Sequence, residues 1–97
     1  MQFMVDFTMP KEMPEEFMAL IPRQRVAVNR LMNDGKLLNY SLSLEHGKLW
    51  AVFNVETQAE LMELVYDLPL TDFMKVRISG LTFYNAATAV SATFSVN

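Results

Sequence analysis

No cysteine occurs in the chain, so disulfides, thiolate nucleophiles and thiolate zinc sites are all excluded. The single histidine, His46, rules out a histidine-rich metal site unless several subunits share one. Three glycines and four prolines leave too little flexible material for a linker or low-complexity segment, and no internal repeat divides the sequence. Long apolar runs are missing too. Nothing approaches the about 20 residues that span a bilayer, and Met1 to Met9 lacks a basic stretch followed by an apolar core. Cytoplasmic residence without membrane contact is the expectation. Basic charge is short: eight Lys and Arg against eleven Asp and Glu give a net charge of -3, no footprint for a nucleic acid backbone.

What is abundant is apolar material. At 52% hydrophobic, 97 residues supply the core of one domain spanning 1–97. So small a chain leaves much surface uncovered, and the apolar excess points to burial against another copy of itself. The eight Met residues suit core and interface filling rather than metal ligation.

Gln2 to Met9 alternates, with Phe3, Val5, Phe7 and Met9 on one side, the period of a half-buried strand. Pro14-Glu15-Glu16 places a proline and two acids where a helix start favours them. Phe17, Leu20, Ile21, Gln24, Val28, Leu31 and Met32 then share a stripe that stops at Asp34-Gly35. Pro22 predicts either a kink between Met18 and Pro22 or a main helix starting near Pro22. Leu37 to Leu44 alternates again, with Leu38, Tyr40 and Leu42 on the core side. Glu45-His46-Gly47-Lys48 reads as a hairpin turn into a strand over Leu49 to Val55. Thr57 and Glu60 predict a reciprocal capping box, the Thr57 side chain accepting from the Glu60 N–H and the Glu60 carboxylate from the Thr57 N–H. Leu61, Leu64, Val65 and Leu68 form one stripe, and Pro69 ends it. Lys75 to Phe83 makes a fourth strand, with Gly80 a candidate bulge.

The order β-α-β-β-α-β predicts an α+β, ferredoxin-like fold, an antiparallel four-stranded sheet with both helices on one face. The core spans about residues 2–83. Residues 85–97, small and polar, are left as an edge strand, an arm laid on a neighbour, or a frayed end. The opposite sheet face collects Met4, Asp6, Asn39, Trp50, Val52 and Arg77, a mixture that suits a subunit interface or a small-molecule pocket; the interface reading takes precedence.

Asp6 is the candidate proton-transfer base. Arg77 faces it across neighbouring strands, although an ordinary structural ion pair explains the same placement. Gln24 lies in the helix seam, where an amide needs partners that either a pocket or a buried structural bond supplies. Arg23 and Arg25 would bind an anionic ligand if the Pro22 kink turned them inward, and are solvated otherwise. Asn39 and Trp50 complete the candidate ligand-binding set. Tyr40 and Tyr84 could donate to an oxyanion, but Tyr40 is assigned to the core and Tyr84 to a strand end. His46 falls in the turn as a solvated residue.

Several of these segments occur together in a known family. Phe3 in its alternating strand, Met13-Pro14-Glu15-Glu16, Arg23-Gln24-Arg25, Asp34-Gly35-Lys36, Phe53 to Thr57 with Glu60-Leu61, and Leu68-Pro69-Leu70 with Met74 resemble the muconolactone Δ-isomerase family, over about Phe3 to Leu81. The resemblance implies a dimeric α+β barrel, assembled into a larger ring-like homo-oligomer, with a pocket near subunit contacts. It also implies a proton shift within an unsaturated lactone during aromatic-compound breakdown, with no metal or organic cofactor. Such a 1,3 shift needs a base beside a carbonyl and donors for the dienolate. The chain departs from the family pattern at Met4 and Asp6, where the first strand carries basic side chains. It departs again at Gln24, where an acid follows the helix Arg, and at Leu38 and Asn39, where Arg and His stand. Arg23 and Arg25 carry over as anion binders, and Asp6 would be a base of this chain's own making. The expectation is a cofactor-independent isomerase or binding protein for an unsaturated lactone or similar small acid. The alternative is a non-catalytic oligomeric module assembled through the polar sheet face. A cofactor-independent oxygenase of the same architecture is a third reading, by fold analogy.

Overall fold

Phe3, Val5 and Phe7 are buried and their neighbours half-buried along β1 (Gln2–Thr8), as the alternation requires. The computed structural model describes residues 1–87. It continues through α1 (Glu15–Asn33), β2 (Leu37–Ser43), β3 (Lys48–Asn54), α2 (Gln58–Asp67), a 3-10 turn (Thr71–Phe73) and β4 (Lys75–Gly80). The strands form one antiparallel sheet in the order β2-β3-β1-β4, the ferredoxin-like arrangement. Val28 of α1 and Leu61 and Val65 of α2 meet Phe3, Val5, Phe7 and Phe53 in one cluster, so both helices cover the same sheet face. The edge strand or arm expected over 85–97 lies beyond residue 87 for most of its length and so outside the described residues. Among the described residues, no helix is long and apolar enough to cross a membrane.

Helix α1 begins at Pro14 with Glu15 and Glu16 in its first turn, and it runs unbroken through Pro22. The main helix therefore does not start at Pro22. Both Pro22 and Met18, whose carbonyl loses its partner there, are exposed, so water can serve that carbonyl. At the other end the Gly35 N–H donates to the Met32 carbonyl and the Lys36 N–H to the Leu31 carbonyl. Gly35 takes the φ of 72° this termination needs.

In α2 the Thr57 hydroxyl accepts from the Glu60 N–H at 3.1 Å, as expected. The reciprocal bond differs: the Glu60 carboxylate accepts from the Glu56 N–H at 3.1 Å rather than from Thr57. Its second oxygen is held by Lys36 Nζ at 2.7 Å, and that contact across the fold orients the carboxylate away from the Thr57 backbone. Thr57→Ala is expected to cost about 1 kcal/mol through loss of the cap, read as a shift in the urea midpoint at unchanged slope.

The hydrogen bond from Lys36 and then that from the Glu56 N–H hold the Glu60 carboxyl below its ordinary pKa. The same bond to Glu60, followed by its charge, lifts Lys36 above its own. A depressed carboxylate contributes stability above its unfolded pKa and loses it as pH falls through the folded value. A raised lysine contributes below its unfolded pKa and loses it as pH rises through the folded value. The pair therefore supports the fold between about pH 5 and pH 10. Lys36→Met is expected to reduce the loss of stability below that window, checked by denaturation midpoints across pH.

Three strand expectations are corrected. Leu37 pairs with Phe53, and the next paired residue on β2 is Asn39 opposite Val52, so a bulge falls at Leu38. Leu37 is consequently in the core at 2% exposure, whereas Leu38, assigned inward from the alternation, is 36% exposed. Gly80 carries no bulge: β1 and β4 pair without interruption from Thr8 opposite Lys75 to Phe3 opposite Gly80. Strand β4 also ends there rather than at Phe83. Leu81 still donates to the Gln2 carbonyl, but the chain then turns back over the sheet, and Asn39 Nδ2 donates to the Tyr84 hydroxyl at 3.1 Å.

Candidate functional site

The helix stripe that begins at Phe17 does not close completely on the sheet. Between α1 and the helix-facing side of β2 and β3 lies a cavity of about 450 Å³. Helix α1 lines it with Phe17, Ile21, Gln24, Arg25, Val28 and Asn29, spaced so that they share one side of the helix. Tyr40 and Leu42 come from β2 and Leu49 from β3. Leu70, Met74 and Met9 complete the lining, and Met9 and Met74 adjoin the paired Thr8 and Lys75 at one end of the sheet. Phe17 is fixed against Phe73, edge to face with ring centroids 5.7 Å apart.

One polar cluster stands out in this apolar setting. Gln24 is only 4% exposed, and its amide bridges two elements distant in sequence: Nε2 donates to the Tyr40 hydroxyl at 2.8 Å, and Oε1 accepts from the Leu70 N–H at 3.1 Å. The amide is thus satisfied on both sides, as a buried polar group must be. Thr71 fixes the same corner, its hydroxyl donating to the Val65 carbonyl at 2.6 Å. Burial raises the Tyr40 phenol above its usual pKa, partly offset by the bond from Gln24. Arg25 adds a cation to the lining while its residue stays exposed. No Asp, Glu or His lines the cavity among the described residues.

The sequence-derived candidates divide among three places. Gln24 and Arg25 are at the helix-side cavity. Arg23 is on the outer side of α1, in a shallow depression with Pro22, Val26 and Arg30. Asp6, Asn39, Trp50 and Arg77 share the opposite sheet face. Asp6 is level with both Trp50 and Arg77 in the register, yet the ion pair of its carboxylate is with Lys48, whose Nζ lies 3.2 Å away and also donates to Thr8. The sheet therefore separates Asp6 from the cavity. Val52, on the same face as Asp6, is 1% exposed; its partner on β2 is Asn39, which donates to the Tyr84 hydroxyl. His46 is exposed in the turn beside Glu45.

Of the polar cavity residues, Asn29 was not among the candidates, and Tyr40 was weighed as an oxyanion donor but assigned to the core. A usable signal existed for Tyr40: a glutamine in an apolar helix seam demands a polar partner from the sheet, and Tyr40 is the polar side chain on the core side of β2.

Residues 1–87 match the model of the family described as muconolactone delta-isomerase. The chain belongs to that family. A crystal structure of muconolactone isomerase superposes on it with a TM-score of 0.74 and 24% identity, covering 90% of this chain and 94% of the other. That likeness establishes the shared fold. No curated protein matches the chain. Within the muconolactone isomerase family fold, then, this member carries an apolar cavity whose polar groups are two amides, a phenol and a guanidinium.

Proposed function

We propose that this chain binds a small unsaturated lactone or a similar small anionic acid in the cavity between α1 and the sheet, in the manner of a muconolactone isomerase-type protein. The observation that carries the reading is the 450 Å³ space itself, apolar over most of its wall with a few converging polar groups, the usual composition of a ligand site. Arg25 is assigned to the ligand's carboxylate and Gln24 to the polar end of the pocket. Arg23, Asn39, Trp50 and Arg77 are left out of this site by their positions.

The same reading bears on turnover. A 1,3 proton shift needs a base within hydrogen-bond reach of the carbon that gives up its proton. Tyr40, with its pKa raised, is an acid at neutral pH, and Asp6 is on the far side of the sheet. Binding without efficient proton transfer is the reading favoured here.

Self-association is proposed alongside it. Leu42, Leu44 and Phe83 are 55%, 70% and 77% exposed, apolar side chains that a second copy would cover. Sedimentation of the whole chain is expected to give a dimer or a larger closed assembly.

The cavity reading is tested by adding muconolactone during thermal unfolding. At 100 times the dissociation constant, stabilisation of about 2.7 kcal/mol is expected, reduced in Arg25→Ala. Proton exchange of the bound lactone in heavy water is expected to stay near the uncatalysed rate. Absence of any stabilisation at millimolar ligand would remove the cavity as a site, and fast exchange would overturn the non-catalytic part.

A further inference from the structure

We infer that Tyr40 donates its phenolic hydrogen to a carbonyl or enolate oxygen of the ligand, with Gln24 as the positioning residue that directs the hydrogen into the cavity. This rests on the cavity being the ligand site. The Leu70 N–H can only donate, and it meets Gln24 Oε1 at 3.1 Å. That bond fixes which end of the amide is oxygen, so Nε2 is the atom 2.8 Å from the Tyr40 hydroxyl. An amide nitrogen can only donate as well. The Tyr40 oxygen is therefore an acceptor toward Gln24, and its own hydrogen must leave in another direction.

Among the described residues no acceptor takes that hydrogen. Tyr40 and Gln24 both line the cavity, so the unused donor is available to whatever occupies it. The bond received from Gln24 polarises the phenol and strengthens it as a donor. Burial keeps the group protonated at neutral pH, as a hydrogen-bond donor must be. A purely apolar ligand or a cation has no use for such a group. A neutral carbonyl does, and an enolate does more strongly. With Arg25 also in the lining, the ligand class narrows to small carbonyl compounds that carry an acid, the carbonyl at Tyr40 and the carboxylate at Arg25.

The experiment compares two ligands by titration calorimetry: muconolactone, and 2,5-dihydrofuran-2-acetate, in which the ring carbonyl is replaced by a methylene. The whole chain is used as wild type, Tyr40→Phe and Gln24→Glu. Wild type is expected to prefer the carbonyl ligand about tenfold, the effect of one good hydrogen bond. Tyr40→Phe is expected to bring that ratio close to one while leaving affinity for the methylene ligand unchanged. Gln24→Glu separates direction from mere packing. Toward alkaline pH, where the new group is ionised, the carboxylate can only accept. It takes hydrogens from both Leu70 and Tyr40, and the preference disappears although the tyrosine is still present. As pH falls and the acid becomes protonated, it can donate to Tyr40 again, and the preference returns.

A role confined to packing would weaken both ligands equally and show no such pH dependence. Equal binding of the two ligands by wild type would overturn the inference while leaving the cavity reading intact, as would an unchanged ratio in Tyr40→Phe. If neither ligand binds, both readings fall. Should Tyr40→Phe fail to fold, the wild-type ratio and the pH dependence of Gln24→Glu decide the matter.

Discussion

Gln24→Glu is expected to raise the exchange of lactone ring protons with heavy water by about a hundredfold over wild type, the lower end of what a positioned general base contributes. The cavity has a phenol, two amides and a guanidinium but no carboxylate or imidazole among the described residues, so the missing element of a proton shift is the base. Gln24 is where one residue can supply it. The side chain is nearly isosteric with Glu, lies on the cavity face of α1, and is already surrounded by two groups able to donate, the Leu70 N–H and the Tyr40 hydroxyl. Two donors lower the new group's pKa while burial raises it, which leaves it able to take up and return a proton near neutrality. The gain is held to the lower end because the same carboxylate occupies the Tyr40 hydrogen that would otherwise stabilise the dienolate. Proton NMR of muconolactone in heavy water measures the rate. A folded variant that still binds the ligand but exchanges it no faster than wild type would show that the cavity does not place the reacting carbon near residue 24.

The second large effect concerns stability. Leu37→Ala is expected to cost about 2–5 kcal/mol, a large share of the about 5–15 kcal/mol that holds a domain together, whereas Leu38→Ala is expected to cost under about 1 kcal/mol. Leu37 is 2% exposed and joins the cluster that contains Phe3 and Phe53; Leu38 is 36% exposed. Regular alternation along β2 demands the opposite result, since counting back from Tyr40 and Leu42 puts Leu38 inward. The pair of variants therefore measures the bulge directly. Urea denaturation of each decides it, and equal losses, or a larger loss at Leu38, would mean that β2 pairs with β3 in an unbroken register.

That contrast also shows how far local patterns reach. In β1 the alternation and the burial agree residue by residue, because both neighbouring strands pair with it in continuous register. In β2, an edge strand with a partner on one side only, the extra residue is accommodated without disturbing a second ladder. The cap of α2 divides in the same way. Thr57 accepting from Glu60 follows from residues three apart, whereas the turn of the Glu60 carboxylate toward Glu56 depends on Lys36, brought in from the end of α1.

The order of elements, the buried face of all but the start of β2 and the family to which the chain belongs were legible in the residues, because caps, stop signals and the periods of 2 and 3.6 act over a few positions. The site was not. Asp6 and Arg77 are on the face away from the helices, as the alternation assigned them, but the carboxylate of Asp6 pairs with Lys48 and the cavity is on the helix side. The cavity depends instead on Gln24, Tyr40 and Leu70, partners 16 and 46 residues apart whose meeting is decided only when α1 settles on the sheet. Local chemistry determined what could be buried; the packing of distant segments determined which polar groups were buried together, and hence where a ligand can be held.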